Sequence, residues 1–173
     1  AVAALYVRGW WRLRRSPRTR GAAPGWRLAA YLVGLASVVV ALCSPIELLA
    51  ELSFTAHMVQ HQLLMMMAPP LLLLAAPFPV ILWALPPRLR RCVGALVVRP
   101  GPIRRTLKTL TWMPVAGVLY TVTLWGWHHP AAYEAALGYP VLHDIEHLTF
   151  FGTAVLFWWP IVNPAPRLHR LNS

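Results

Sequence analysis

Four stretches of the chain contain no Asp, Glu, Lys or Arg: Leu28 to Ile46, Leu52 to Pro87, Thr109 to Tyr133 and His147 to Pro166. Each is long enough to carry about 20 helical residues across the roughly 30 Å hydrocarbon core of a bilayer. The pattern predicts spans near Leu28–Ser44, Phe54–Leu74, Leu110–Trp127 and Val141–Val162. Pro69 and Pro70 are expected to kink the second span or end its regular part, and Pro77–Leu85 reads as an interfacial or re-entrant segment. Ala1–Val7 is apolar and runs straight into Arg8, so it is expected to be the cytoplasmic end of an earlier, incomplete helix. A secretory signal has the opposite order, with basic residues ahead of the apolar run. The expected fold class is all-α: a polytopic integral membrane helical bundle with four complete spans plus an incomplete N-terminal helix. Residues 1–173 then form a single transmembrane domain that reads as a fragment of a longer multi-span protein.

Charge orients these spans. Arg8, Arg12, Arg14, Arg15, Arg18, Arg20 and Arg27 precede the first; Arg88, Arg90, Arg91, Arg99, Arg104, Arg105 and Lys108 lie between the second and third; Arg167 and Arg170 follow the fourth. They are all 16 of the chain's Lys and Arg. Alternation of four spans puts them on one side, which the positive-inside rule makes the cytoplasm. Residues 8–27 and 88–108 are accordingly expected to be basic cytoplasmic loops, in what reads as the inner membrane of a bacterial cell. Glu47, Glu51, Glu134, Asp144 and Glu146 fall on the opposite face. Trp10, Trp11, Trp26, Trp112, Trp125, Trp127, Trp158 and Trp159 fall near span ends, where indole rings favour the interface.

Composition narrows the partners. Hydrophobic residues make up 58% of the chain and charged ones 12%, against about 25% charged in a soluble domain, which excludes an ordinary soluble fold. A net charge of +11 on a soluble body with a mixed basic face would suggest nucleic acid. Here the bases sit in blocks between apolar runs, so the partner is the lipid bilayer, with anionic headgroups at the basic blocks, and no nucleic acid is expected. Two cysteines, Cys43 and Cys92, fall on opposite sides and give no disulfide framework.

The candidate chemistry lies in the histidines. His57, His61, His128, His129, His143 and His147 map to the outer ends of spans two, three and four, while His169 is cytoplasmic. His57/His61 and His143/His147 are i, i+4 pairs, a spacing that stacks two imidazoles on one helix face and lets a helix offer both to one metal ion. Both pairs begin inward-running helices, whose N-terminal partial charge favours the neutral imidazole that a metal needs. Met65 continues the His57–His61 line about 12 Å into the membrane at 1.5 Å per residue, and imidazole with thioether is a soft set suited to Cu(I). Glu146 is expected behind the metal ligands, as an acceptor that fixes a histidine tautomer or as a proton carrier, and His128 as a weaker ligand. His61 and His147 are expected to be the shielded inner ligands, with His57 and His143 as outer ligands that exchange the ion. Cys43 could join the set, although a small packing residue is its commoner role. Interfacial histidines are often only polar boundary residues, and methionine triplets often only pack. Two facing pairs inside apolar spans are different, because ionisable groups there are costly and mark function.

Three histidine-containing runs resemble one family. The run from Ser53 through His57-Met58-Val59-Gln60-His61 to Met67-Ala68-Pro69-Pro70-Leu71 is similar to that of the polytopic CtaG-type cytochrome c oxidase assembly factors. So are Leu124-Trp125-Gly126-Trp127-His128-His129-Pro130 with Tyr133 and Ala136-Leu137, and His143-Asp144-Ile145-Glu146-His147 with Phe150-Phe151 and Phe157-Trp158-Trp159-Pro160. The resemblance extends from about Gly25 to Pro160. It implies a membrane protein, with no catalytic turnover, that acts with cytochrome c oxidase subunits in maturing a haem-copper oxidase, holding or delivering copper through an outward-facing His/Met site. The family's polar positions correspond to His57, His61, His128, His143, Glu146 and His147. Members of the family usually have a complete earlier helix and further spans after Trp-Trp-Pro, so more ligands are expected from helices outside this sequence. Two other readings stay open: a redox protein with haem bound axially by histidines of spans two and four, and a bundle whose histidines only pack.

Overall fold

The computed structural model describes residues 1–164 and 168, without the side chains of 46–48 and 51. Arg167, His169 and Arg170 lie outside the described residues, as do the side chains of Glu47 and Glu51. The chain folds as α1 (Val2–Arg14), a 3-10 turn (Arg20–Ala22), α2 (Gly25–Cys43), α3 (Pro45–Leu52) and α4 (Phe54–Gln62). A π-helical turn (Leu63–Met67) joins α4 to α5 (Ala68–Leu74), and then follow α6 (Pro77–Ala84), α7 (Pro87–Val98), α8 (Pro102–Leu110), α9 (Met113–Trp127), α10 (Pro130–Gly138) and α11 (Pro140–Val162). There is no strand among the described residues. From α6 onward every helix carries Pro in its first turn, where the missing N–H would have had no helical acceptor anyway.

The all-α expectation is met, whereas the spans differ in detail. Arg20–Cys43 and Pro140–Val162 are each long and apolar enough to cross a membrane. Phe54–Leu74 with Pro77–Ala84 makes a third if this pair, bent by 59°, is one broken span. The expected span Leu110–Trp127 is divided, because Pro114 has no N–H for the Leu110 carbonyl and its ring crowds that carbonyl. The helix that remains, α9, has 15 residues, about 22 Å at 1.5 Å per residue. The basic segments expected as loops are also partly helical. Arg8, Arg12 and Arg14 belong to α1, and residues 88–108 form most of α7 and α8.

The second span runs through Pro69 and Pro70 and breaks later. Pro69 cannot donate to the Met65 carbonyl four residues back. Trp158 of α11 supplies the missing donor, its Nε1–H reaching that oxygen at 3.0 Å, and the helix widens to a π turn over the same residues. The break falls at Ala76, in the left-handed region with φ 47°, and sends α6 back against α1.

This α1–α6 contact is tight. Tyr6 is fully buried, stacks on Tyr31 with ring centroids 3.7 Å apart, and donates its hydroxyl to the Ala75 carbonyl at 2.9 Å. Arg12 caps the far end of α6 by donating to the carbonyls of Ala84 at 3.0 Å and Trp83 at 3.3 Å. A Cβ on Gly9 would lie 1.9 Å from the Val80 carbonyl oxygen, so only glycine lets the two backbones approach this closely. Gly9→Ala is therefore expected to destabilise the fold by roughly 1–3 kcal/mol through overpacking. Gly21→Ala, whose new methyl would meet nothing within 4 Å, should leave stability unchanged. Thermal unfolding in detergent checks the pair, and equal midpoints would contradict the packing argument.

Candidate metal centre

The site lies where α4 and α11 face each other, with the ends of α9 and α10 beside them. His57 and His61 stand one turn apart on α4, ring centroids 4.2 Å apart. His143 and His147 repeat the arrangement on α11, also at 4.2 Å. Across the seam, His57 stacks on His143 at 5.6 Å and His61 meets His147 edge-on at 5.5 Å. The i, i+4 spacing thus brings four imidazoles together.

Glu146 belongs to the same cluster. One carboxylate oxygen is 3.6 Å from His61 Nε2, and ligand atoms of His57, His61 and Glu146 all lie within 4.8 Å of one another. The sequence reading places this carboxylate behind the histidines; in the structure it stands among them, because α11 turns residue 146 toward α4. His128, at the end of α9, has its ring 6.1 Å from that of His61. Its Nδ1 lies 2.7 Å from the Leu124 carbonyl oxygen. A carbonyl only accepts, so Nδ1 carries the proton and Nε2 keeps its lone pair free.

Two further placements bear on the ligand set. His57, expected as an outer ligand, is as buried as the inner His61, at 1% and 3% exposed, because His143 and the ring of Tyr133, 5.6 Å away, cover it. Cys43 is exposed at the end of α2 and is not in the three-residue group. Met65 is buried a turn deeper and packs with Phe150 and Ala154, while His129 is exposed. Sequence reasoning named Phe150 only as part of a family-like run and missed its role as an aromatic wall: it lies 4.6 Å from His61 and 6.0 Å from His128. An apolar residue in an apolar span carries no signal of such a role. It also missed Gln60, fully buried, whose amide donates to the Ala41 carbonyl at 2.8 Å and pins α4 to α2.

The cluster is rich in buried atoms that no hydrogen bond satisfies. His57 Nε2, both ring nitrogens of His61, His143 Nε2, His147 Nε2 and Glu146 Oε2 have no hydrogen-bond partner. Each such atom costs about 1–3 kcal/mol in an apolar interior. Each of the four imidazoles can offer one ring nitrogen, and Glu146 its carboxylate, to a cation, and imidazole and carboxylate together fit a first-row transition metal.

Fold and site together define a helical membrane protein with a buried imidazole–carboxylate cluster between two helices. The chain belongs to the cytochrome c oxidase caa3 assembly factor family, whose model matches residues 4–173. It is similar to an uncharacterized protein of Mycobacterium leprae, 27% identical over 94% of this chain. It is also similar to uncharacterized proteins of Mycobacterium bovis and Mycobacterium tuberculosis, each 28% identical over 96% of it. The chain spans about a quarter of the length of these relatives. No solved structure shows significant similarity to it.

Trp158 holds the floor of the site through the Met65 carbonyl. Trp158→Phe keeps the ring and strands this buried acceptor, so it should cost about 1–3 kcal/mol. Denaturation of the purified variant beside wild type measures this; an unchanged stability would show that the indole donor is dispensable.

Proposed function

We propose that the chain carries copper as cargo for the maturation of a haem-copper cytochrome c oxidase, binding it as Cu(I) in the cluster between α4 and α11. The observation that supports this most is that His57, His61 and Glu146 bring ligand atoms within 4.8 Å of one another, with the unpartnered Nε2 atoms of His143 and His147 beside them. His61, His147 and Glu146 are the anchoring donors, His57 and His143 complete the ring, and Met65 is a soft donor one turn deeper. His128 offers a weaker ligand through Nε2. Family membership supplies the client, a cytochrome c oxidase under assembly.

In the same reading α9 completes a fourth crossing of the cell membrane. The basic helices face the cytoplasm and the histidine end faces outward, because the Lys and Arg of α1, α7 and α8 then share one side. Cysteines placed singly at Arg90 and Glu134 and probed with an impermeant thiol reagent on intact cells test the orientation. Reaction at 134 alone is expected, and reaction at 90 alone would reverse it.

Titration of the purified protein against a chromophoric Cu(I) chelator tests the cargo. His61→Ala and His147→Ala should each abolish tight binding, and His128→Ala should weaken it less. Unchanged affinity in the folded double variant His61→Ala, His147→Ala would overturn the assignment. A strong Soret band would mean haem instead.

A further inference from the structure

Two cavities reach the histidine cluster, and they differ in chemistry. The first, about 150 Å³, lies at the outer end between α3, α10 and α11 and is lined by Ala50, His57, Ala136, Pro140, His143 and Asp144. It ends on the imidazole pair His57/His143, whose Nε2 atoms are both unpartnered. The second, about 300 Å³, opens sideways between α2 and α11; Val38, Leu42, Leu64, Leu148 and Phe151 line it, with His147 and Asp144 at one edge.

Resting on the copper reading above, we infer that the first cavity is the loading mouth of the site: a small Cu(I) complex enters there, exchanges its ligands for His57 and His143, and passes inward to His61, His147 and Glu146. Ligand exchange is the whole reaction, so no electron is transferred and each donor released from the incoming complex is replaced by an imidazole.

The lining and the surrounding charge support this mouth over the side opening. Its inner wall is made of metal-binding groups, whereas the side opening is mostly aliphatic and aromatic. An ion losing its shell there would find few replacements, and a charge without partners in an apolar lining is strongly disfavoured. Asp144 stands exposed on the rim that the two openings share, and Glu134 and Glu146 lie on α10 and α11 at the same end of the bundle as the mouth. The described Lys and Arg all lie toward the other end, on α1, on the segment leading into α2 and its first turn, and on α7–α8. A cation approaching the mouth therefore meets attraction without opposing side-chain charge, which raises its rate of arrival. Ala50 and Ala136 are 4% and 2% exposed, so the width of the cavity depends on two methyl-sized walls.

Stopped-flow transfer of Cu(I) from a small anionic chromophoric chelator and from a small neutral one to the purified full chain, with equilibrium affinity measured on the same samples, tests the route. Ala136→Leu narrows the mouth and should slow loading roughly tenfold or more while affinity stays within about twofold. Asp144→Asn, an exposed change that keeps the fold, should slow loading from the neutral chelator, whose Cu(I) complex is cationic, several-fold and remove most of its salt dependence. Leu42→Trp narrows the side opening and should change neither rate. Unaltered loading in Ala136→Leu and Asp144→Asn with tight binding intact would overturn the mouth and leave the copper site standing, as would slowing by Leu42→Trp alone. A wild-type chain that takes up no Cu(I) would overturn both.

Discussion

Burying lone pairs in an apolar bundle is the constraint on which the rest of this structure depends. Four imidazoles and a carboxylate on α4 and α11 cannot face lipid cheaply: an ionisable group at the centre of a span costs about 2.5–3.5 kcal/mol on insertion scales. Turned toward each other, they remain without hydrogen-bond partners, and a cation bound among them would use their lone pairs. The seam between the helices is thus where the sequence places its largest local cost, and a bound metal ion would offset it.

The helix carrying half of these ligands is held in place by an unusual repair. Pro69 removes a backbone donor in the middle of the second apolar stretch, and the indole of Trp158 replaces it. That bond joins the π turn below His61 to the helix bearing His143, Glu146 and His147, so depth along one helix is keyed to depth along the other. Gln60 pins the same helix to α2 from the other side. Around this frame, α1 and α6 close the opposite end through Tyr6, Gly9 and Arg12.

Much of this was legible in the sequence, for identifiable reasons. Charge-free stretches mark apolar helices, and i, i+4 histidines mark one face of each, so His57, His61, His143 and His147 could be paired before any coordinates were known. What the pattern could not show depends on tertiary direction. The turn of α11 that brings Glu146 beside His61, and the packing of α10 that covers His57 with Tyr133, follow from how elements meet and leave no period in the sequence. Pro114 is plain to read, yet its effect, a shortened α9, depends on how the chain approaches from α8. The basic segments lacked long apolar runs and so read as loops, although α8 needs only Pro102 in its first turn and a charged face with Arg104, Arg105 and Lys108 to form a helix.

The central claim is that the atoms at this seam are the copper ligands. X-ray absorption at the copper edge on the Cu(I)-loaded full chain examines those atoms directly. The account predicts a first shell dominated by nitrogen and oxygen, with the outer-shell scattering of several imidazole rings and at most one sulfur. A first shell made mainly of sulfur, without imidazole scattering, would place the ion on cysteine or methionine side chains elsewhere and contradict it.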